Sequence, residues 1–318
     1  MYKIGIIGNM NKKGIELLDS NKKFSYEIVT NLSKENLLKK IPEFDGVTLR
    51  RGKLDSEILR NCKKLKVISR HGVGYDNVDL NYIKKNNISL LITATANAVA
   101  VAEHVISMFL SLSKSISKYD EEVRKGNFKS NADKIQTFEL LNKNILIAGF
   151  GRIGKKLISR CLAFDAKVYI YDPYVDEKII KEFGGIKVDR IEDGLKNADY
   201  VSLHMPLTNE TKNLINYSVL KTMKKNSIIV NTARGGIINE LDLEKALNEG
   251  LIFGAALDVF SKEPIEINNP LLKNKKVILS PHSATFTDEC TSRMGIETTK
   301  NIIDFFDNKI DKSMIVKI

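Results

Sequence analysis

Hydrophobic and polar positions along this chain alternate between two periods. Short apolar runs of strand length are separated by stretches in which apolar residues recur every three or four positions, the spacing of one helix face. In the first third, the runs predict strands at 3–7, 26–29, 46–49, 66–69 and 88–90, with helices around 12–18, 35–40, 56–59 and 80–84. This alternation predicts a parallel α/β domain, because consecutive parallel strands need a crossover connection.

The same alternation resumes after residue 142. It predicts strands at 144–148, 168–171, 200–203, 227–231, 254–259 and 276–279, and helices at 175–183, 219–224 and 240–249. Residues 101–113 are apolar around much of a helix, which is typical of burial in a core or under a partner subunit. We expect His104 within them to be a hydrogen-bonded buried or interface histidine rather than a ligand-binding one. Residues 124–137 are polar and predict a surface excursion. We therefore expect an α/β protein with two doubly wound parallel-sheet domains.

The stretch 143–172 predicts a dinucleotide-binding unit of the Rossmann type. Gly149, Gly151 and Gly154 form G-x-G-x-x-G between a predicted strand and an apolar helix face. The first glycine allows a tight turn, the second lets backbone amides approach a pyrophosphate, and the third permits close helix–strand packing. Asp172 lies 18 residues beyond the last glycine, where it would accept hydrogen bonds from ribose hydroxyls and repel a 2′-phosphate. The pattern favours NAD over NADP; the alternative is a glycine-rich turn in another parallel sheet.

Composition argues against several other classes of function. The 318 residues are enough for two domains with a core each. The net charge of +11 comes mostly from scattered lysines that are not gathered with aromatic residues, so no nucleic-acid partner is expected. The three cysteines lie far apart without C-x-x-C spacing, which predicts reduced thiols and no metal site. Neither a signal peptide nor a membrane span is recognisable, and we expect a cytoplasmic protein.

Several strands of the second half run into an unusual polar group. These groups are His204-Met205-Pro206, Thr232-Ala233-Arg234, Asp258 followed by Glu263-Pro264, and Pro281-His282. In an open parallel sheet, ligands bind outside the carboxyl ends of the strands. Residues far apart in sequence are therefore expected to converge beside the cofactor.

Three of these residues could together perform acid–base chemistry on a substrate that carries a carboxylate. Removing hydride from an alcohol leaves a protonated carbonyl, and His282, with an ordinary pKa of about 6.5, is suited to accept that proton. A Glu263 carboxylate within hydrogen-bond reach would orient the imidazole and raise its pKa. The Arg234 guanidinium could bind a carboxylate and polarise the neighbouring carbonyl. The alternatives are a structural histidine at a strand end, a solvated turn acid and a surface ion pair.

Two strand ends in the first third carry candidate anion-binding groups. Arg50 and Arg51 follow one strand, and residues 70–79 follow the next with the sequence RHGVGYDNVD. Gly72 and Gly74 are two positions apart and could aim successive backbone amides at one carboxylate. The alternative is a plain turn.

Eight motifs together resemble the D-2-hydroxyacid dehydrogenase family, and within it the phosphoglycerate dehydrogenase group. They cover nearly the whole chain in the family's order: HGVGYDNVD (71–79), NAVAVAEHV (97–105), GFGRIG (149–154), YDP (171–173), LHMPLTNET (203–211), NTARGGIIN (231–239), LDVFSKEP (257–264) and SPHSA (280–284). The resemblance implies an NAD-dependent oxidoreductase that moves hydride between nicotinamide and C2 of a small D-2-hydroxy acid or its 2-keto acid.

The resemblance also implies a domain layout and an assembly. A discontinuous, flavodoxin-like lid domain, residues 1–97 plus 289–318, would close over a Rossmann NAD-binding domain, residues 98–288. The helix at 98–113 would form part of a two-fold homodimer interface. Because the chain ends at Ile318, shortly after a lid helix expected around 299–306, we expect no appended regulatory domain and no feedback control by serine.

Roles for individual residues follow from the same resemblance. Arg234 would bind the substrate's carboxylate and carbonyl, His282 would be the acid/base, and Glu263 would support His282. Further substrate contacts are implied for Arg50, Gly72, Val73, Gly74 and Asn97. The positions implied to hold NAD are Gly149, Gly151, Arg152, Ile153, Gly154, Asp172, Met205, Pro206, Thr232, Ala233 and Asp258, together with Val73 in a loop that contacts both ligands.

The residues are compatible with more than one 2-hydroxy acid as substrate. Arg50, Arg51 and Arg70 could accommodate a phosphate, so the resemblance favours 3-phosphoglycerate. Glyoxylate, hydroxypyruvate or another 2-keto acid stay open. A further alternative is an NAD-sensing binding protein of the same fold, similar to the C-terminal binding protein corepressors.

Overall fold

The computed structural model describes residues 1–128 and 134–317, and the chain divides into two compact units. Unit 1 comprises residues 1–97 and the described residues from 285 onward, and unit 2 comprises residues 98–284. The chain thus leaves unit 1 after Asn97 and returns to it at Thr285, four residues before the second boundary expected from the sequence.

Unit 1 is built around five parallel strands. The strands are β1 (Tyr2–Ile7), β2 (Phe24–Val29), β3 (Gly46–Leu49), β4 (Val67–Arg70) and β5 (Ser89–Ile92). The helices are α1 (Lys12–Asp19), α2 (Lys34–Lys40), α3 (Ser56–Leu59), α4 (Leu80–Lys85) and, from the returning segment, α12 (Asp288–Phe306). The strand order β2-β1-β3-β4-β5 is the flavodoxin-like doubly wound order.

Local sequence explains where the helices of unit 1 begin and how closely two of them pack. All five start at a side chain that accepts a hydrogen bond from a first-turn backbone N–H: Asn11, Ser33, Asp55, Asp79 and Thr287. Helices α1 and α12 approach through glycines, since a Cβ added at Gly14 would lie 2.6 Å from the carbonyl oxygen of Gly295. All four residues of β3 are buried, as expected of a parallel strand with both faces covered.

Unit 2 contains seven parallel strands. The strands are β6 (Asn144–Ala148), β7 (Lys167–Tyr171), β8 (Ile186–Lys187), β9 (Tyr200–Leu203), β10 (Ile228–Asn231), β11 (Gly254–Leu257) and β12 (Val277–Leu279). The helices are α5 (Ala98–Ser113), α6 (Ile116–Arg124), α7 (Arg152–Leu162), α8 (Glu177–Glu182), α9 (Ile191–Asn197), α10 (Tyr217–Thr222) and α11 (Glu240–Asn248). The order β12-β11-β10-β9-β6-β7-β8 reverses direction at β6, the switch point of a doubly wound sheet.

Helix α5 is mainly a core helix of unit 2. Val105, Met108 and Phe109 are buried in one hydrophobic cluster with residues of the sheet. His104 is partly exposed and has a partner, because its Nε2 lies 3.1 Å from the hydroxyl oxygen of Ser280. Within the described residues, no single helix has the length and apolar character needed to cross a membrane; α5 and α6 pass that test only as a pair, bent by 55°.

The predicted fold class, two doubly wound parallel α/β domains, is confirmed. Every strand predicted from the sequence is present, with ends that differ by no more than two residues. Helices α6 and α9 and the strand β8 were not predicted, because each is short and carries too few apolar residues for a clear period. Of the surface excursion expected at 124–137, residues 129–133 lie outside the described residues.

Candidate functional site

The carboxyl ends of four strands in unit 2 form the candidate site. Strands β9, β10, β11 and β12 are neighbours and run parallel, so the residues that follow them emerge at one edge of the sheet. These segments include His204, Arg234, Glu263 and His282. The strand order alone therefore gathers groups that are widely separated in sequence.

The His282 imidazole and the Glu263 carboxylate are hydrogen-bonded. Nδ1 of His282 lies 2.8 Å from Oε2 of Glu263, whose Oε1 accepts the backbone N–H of Phe260 at 3.0 Å. The hydrogen bond to Glu263 raises the pKa of His282, and burial opposes it only in part. Burial acts to raise the pKa of Glu263, but the hydrogen bonds from His282 and Phe260 outweigh it, and the net direction is downward. The two side chains are 52% and 38% exposed, so the ring is accessible.

Asp258 holds the turn that carries the imidazole. His282 has φ +52°, in the left-handed region that costs a non-glycine residue about 1 kcal/mol. Its N–H donates to the carbonyl oxygen of Asp258 at 2.8 Å. The buried Asp258 carboxylate accepts the hydroxyl of Ser280 at 2.5 Å and the N–H groups of Ser283 and Ala284 at 2.8 and 3.0 Å. These donors satisfy a fully buried carboxylate and fix the backbone of the turn.

Two local features fix the backbone of Arg234. The side chain of Asn231, at the end of β10, accepts the N–H of Ala233 at 3.0 Å and donates to the carbonyl oxygen of Arg234 at 2.8 Å. A Cβ added at Gly235 would lie 1.9 Å from the carbonyl carbon of Phe260, so the loops after β10 and β11 meet where no side chain fits. The charge of Arg234 acts on the titration of both members of the histidine–glutamate pair.

The glycine-rich loop between β6 and α7 contains two closed positions and one open one. Gly149 has φ +104°, and a Cβ added to it would lie 2.6 Å from the carbonyl oxygen of His204. A Cβ added to Gly154 would lie 2.5 Å from the carbonyl oxygen of Gly149. At Gly151 it would meet nothing within 4 Å, and no side chain of a described residue caps α7 there. The first turn of α7 presents backbone N–H groups to open space, which fits the pyrophosphate of a dinucleotide.

Asp172, at the carboxyl end of β7, also fixes this loop. Its Oδ2 accepts the N–H of Phe150 at 2.8 Å, and its Oδ1 accepts that of Tyr174 at 2.9 Å. Each carboxylate oxygen has further acceptor capacity, which leaves the side chain able to bind ribose hydroxyls. The contact with Phe150 was not predicted from the sequence.

Orphaned polar atoms lie at the same edge of the sheet. Nδ1 of His204 and Oγ1 of Thr232 are buried without a hydrogen-bond partner among the described residues. Burial lowers the pKa of His204 to about 4, so its ring is neutral at pH 7. Buried polar groups normally have partners, and a bound dinucleotide would bring polar atoms to this edge. The other predicted cofactor contacts are also at carboxyl ends of these strands: Arg152 and Ile153 in the first turn of α7, Met205 and Pro206 after β9, and Ala233 after β10.

In unit 1, Arg70 shapes the loop that follows β4. Its Nε donates to the carbonyl oxygen of Gly74 at 2.7 Å, and its Nη1 donates to those of Leu49 and Arg50. Gly72 has φ +148°, a conformation that side chains rarely adopt. The guanidinium therefore ties the predicted carboxylate-binding loop to the end of β3.

Arg50, a predicted substrate contact, and the buried His71 lie at the ends of β3 and β4 in unit 1. Nη1 of Arg50 donates to the carbonyl oxygen of Asn9 at 3.2 Å, and its guanidinium carbon lies 5.7 Å from the centre of the Phe286 ring. His71 is 5% exposed, and neither ring nitrogen has a partner among the described residues. Burial lowers the pKa of His71 to about 4. The remaining predicted substrate contacts in this unit, Val73 and Asn97, are half-buried.

The predicted site residues thus fall into two sets, one in each unit. Three residues that hold the unit 2 set in place were not predicted. Asn231 could have been found, because an asparagine at a strand end is typical of a side-chain-closed turn. Gly235 stands in a Gly-Gly pair, which marks a turn but not its partner. Ser280 belongs to the SPHSA motif, but nothing in the sequence indicated that its hydroxyl donates to Asp258.

Comparisons with known proteins agree with this architecture. The family model described as "D-isomer specific 2-hydroxyacid dehydrogenase, NAD binding domain" matches residues 106–284. The hydroxypyruvate reductase of Thermotoga maritima is 35% identical over 304 residues, which cover 95% of this chain and 97% of that protein. The glyoxylate reductase of Thermococcus litoralis is 38% identical over 287 residues, covering 88% of this chain and 86% of that protein.

A phosphoglycerate dehydrogenase and a solved structure extend the comparison. The D-3-phosphoglycerate dehydrogenase of Archaeoglobus fulgidus is 33% identical over 299 residues, which cover 94% of this chain but 54% of that protein. This chain therefore spans about half the length of that relative. The crystal structure of D-lactate dehydrogenase from Aquifex aeolicus, complexed with NAD and lactic acid, has a TM-score of 0.87 and 30% identity, with 98% of each chain covered.

The fold and the glycine loop are those of a doubly wound dinucleotide-binding protein. The chain belongs to the D-isomer specific 2-hydroxyacid dehydrogenase family, and residues 106–284 are its NAD-binding domain. Members of this family are NAD-dependent oxidoreductases that act on CH–OH groups.

Proposed function

We propose that this protein is an NAD-dependent dehydrogenase that transfers hydride between NAD(H) and a small D-2-hydroxy acid or its 2-keto acid. The observation that carries the proposal is the 2.8 Å contact between His282 and Glu263 at the carboxyl edge of the NAD-binding domain. The charge of Arg234 acts on this pair. A proton carrier, an orienting carboxylate and a cation for the substrate's carboxylate are the groups that this reaction needs.

NAD supplies the hydride acceptor when bound, and NADH supplies the donor. His282 takes the hydroxyl proton of the substrate at Nε2 during oxidation and returns it during reduction. Because Glu263 occupies Nδ1, it fixes the ring orientation and stabilises the protonated form. The raised pKa of His282 extends the pH range over which the ring can donate a proton to a keto acid.

Arg234 binds the substrate's carboxylate and polarises the adjacent carbonyl in this proposal. Backbone N–H groups of the loop at 72–74 are the second set of carboxylate donors, and Asn97 is a further contact. The residues proposed to hold NAD are those predicted from the sequence, with the open position at Gly151 and the orphaned Thr232 hydroxyl as support. Asp258 contributes by fixing the turn that carries His282, because its carboxylate oxygens already accept hydrogen bonds within the protein.

We propose a phosphoglycerate dehydrogenase-like substrate, with Arg50 and Arg51 as the groups for its phosphate. Arg70 is a weaker candidate than expected, since its Nε and Nη1 donate to backbone carbonyl oxygens. Glyoxylate or hydroxypyruvate is the second candidate, supported by relatives of both names at 38% and 35% identity.

The assembly and location are proposed on narrower grounds. We propose a two-fold homodimer through α5, next to which α6 exposes the apolar side chains of Ile116 and Val123. Exposed apolar side chains two turns apart on one face of a helix are typical of an interaction surface. A cytoplasmic location is proposed because the three cysteines are unpaired and buried.

NADH oxidation tests this proposal against 3-phosphohydroxypyruvate, hydroxypyruvate, glyoxylate, pyruvate and 2-ketoisocaproate. Turnover of the phosphorylated acid alone would support the first substrate class, and turnover of only the others would support the second. His282→Ala is expected to abolish turnover with NADH affinity retained, whereas loss of both would assign His282 a structural role. Tight NADH binding without turnover of any acid would contradict the proposal and favour an NAD-sensing binding protein.

A further inference from the structure

A cavity of about 260 Å³ lies in unit 2 at the end of the sheet opposite to the candidate active site. Its walls include the residues just before β10, β11 and β12, together with the end of α5 and the start of α6. The proposed function uses none of these residues as a catalytic or cofactor-binding group, although α5 and α6 are also the helices of the proposed homodimer surface.

The cavity has an apolar floor. Leu112 and Ile252 are buried there, and the side chains of Phe253 and Ile278 complete it. The Phe253 ring is held edge-on against Phe138, with 4.8 Å between the ring centres. An aromatic or aliphatic group of a ligand could pack on this surface with little rearrangement.

Four lysines surround the floor: Lys118, Lys225, Lys275 and Lys276. Within the described residues, the first three form no ion pair, whereas Nζ of Lys276 donates to a backbone carbonyl oxygen at 2.6 Å. No carboxylate of a described residue lines the cavity. Four ammonium groups around one concave surface attract an anion, because their potentials add there.

The neighbouring polar groups do not cancel this charge. Glu121 interacts electrostatically with Lys275, but its carboxylate is paired with Lys125, the residue that follows α6. Hydroxyl groups of Ser111 and Ser117 at the cavity add hydrogen-bond capacity for an oxyanion.

We propose that this cavity binds a small organic anion with a flat apolar body, such as an aromatic carboxylate, sulfonate or phosphate ester. The body packs on the floor formed by Leu112, Ile252, Phe253 and Ile278, and the anionic group is bound by the lysines. The volume is slightly below the range of about 300–1,000 Å³ found for drug-sized ligands, so the ligand has one or two rings.

The position of the cavity predicts how this ligand relates to NAD. Strands β10 and β11 have four residues each and β12 has three. At about 3.3 Å per residue, about 13 Å of strand separates the cavity from the segments that carry Arg234 and His282. The two ligands therefore do not compete, and the proposal does not depend on the proposed reaction.

Isothermal titration calorimetry with 2-naphthalenesulfonate, in saturating NADH, tests the site. We expect one site per chain, an affinity that falls with added salt, and weaker binding of both 2-naphthalenesulfonamide, which keeps the ring without the charge, and sulfate, which keeps the charge without the ring. Equal binding of sulfate and the sulfonate would overturn the proposal, since it would show attraction to surface lysines alone.

Two variants locate the binding. Lys225→Glu combined with Lys275→Glu is expected to weaken 2-naphthalenesulfonate by about tenfold or more, because it reverses two charges at the rim. Lys221→Glu, on the exposed side of α10, is the matched control and is expected to change nothing. Ser111→Phe fills the cavity with all four lysines retained, and binding that survives this change would overturn the proposal.

The same samples decide whether a second copy of the chain covers the cavity. Light scattering is run on each variant with and without 2-naphthalenesulfonate. Unchanged mass with weakened binding in the double variant supports a ligand site. Binding that appears only when the mass falls to that of a single chain would overturn the proposal and assign this surface to subunit contact.

Discussion

Replacing Glu263 by glutamine tests how the Glu263 carboxylate sets the pKa and the tautomer of His282 in the proposed reaction. Glu263 offers one oxygen to the Phe260 N–H and the other to Nδ1 of His282. Glutamine has one oxygen, and if it keeps the Phe260 contact its NH₂ group faces Nδ1. An amide N–H donates to the neutral ring, so Glu263→Gln removes the hydrogen bond that raises the pKa of His282 and stabilises the unprotonated form.

The size of the effect follows from the exposure of the pair. A hydrogen bond to a charged group typically contributes about 1.5–3 kcal/mol to stability. The side chains here are 52% and 38% exposed, so solvent screening reduces the contribution to about 1 kcal/mol. That energy changes the protonated fraction by about fivefold at pH values above the pKa. Reduction of the keto acid, which needs protonated His282, is therefore expected to slow about fivefold at alkaline pH.

Oxidation is expected to slow as well. It needs an unprotonated Nε2, but an amide N–H that donates to Nδ1 of the neutral ring leaves the ring proton on Nε2. The assay is kcat/KM against pH in both directions, with single-turnover rates to isolate hydride transfer. Glu266→Gln, which breaks only the exposed contact with Lys262, is the control on the same loop. An equal fall in both directions with unchanged pH profiles would refute the reasoning and leave Glu263 with a role in loop structure alone.

Three further predictions test the cofactor loop and a buried histidine. Gly151→Ala should weaken NADH binding by about tenfold without loss of stability, whereas Gly154→Ala should lower stability by about 1–3 kcal/mol, because its Cβ would meet a carbonyl oxygen at 2.5 Å; calorimetric NADH affinity and urea unfolding separate the two. Asp172→Asn should reduce the preference for NADH over NADPH by about tenfold, measured from both dissociation constants, since charge repulsion is lost. The folded pKa of His71 is about 4 against 6.5 unfolded, so the unfolded chain takes up a proton first as pH falls and stability is lost between those values. His71→Leu should therefore recover about 2 kcal/mol of the stability lost between pH 7 and pH 5, as measured by urea unfolding followed by circular dichroism; an unchanged pH dependence would contradict the buried neutral ring.

Much of the fold could be predicted because parallel strands that are buried on both faces have continuous apolar sequences. The apolar run at 144–148 and the three glycines that follow it predicted a strand, a turn and a helix, and the structure has each of them. The convergence of strand ends followed from topology, so His204 and His282 could be expected at one edge before any coordinates.

The contacts that hold the site could not be predicted, because they join loops that are distant in sequence. Nothing local indicates that Gly235 meets the backbone of Phe260, since the glycine is required by a neighbour from another loop. Asp172 is a second example of a contact that could not be predicted. Its spacing predicted a ribose contact, but its carboxylate also accepts a hydrogen bond from the N–H of Phe150 in the glycine loop.

The position of the imidazole depends on the register of two short strands. Leu257 pairs with Leu279, and this pairing places Asp258 beside Ser280, where the carboxylate can accept the hydroxyl and the N–H groups of the turn. A slip of one residue would move these donors away and send each side chain to the opposite face. Glycine would adopt the left-handed conformation of His282 without cost, but it would remove the proposed proton carrier. Histidine can occupy this position because the buried Asp258 carboxylate, through hydrogen bonds from Ser280, Ser283 and Ala284, stabilises a turn that a non-glycine residue otherwise disfavours.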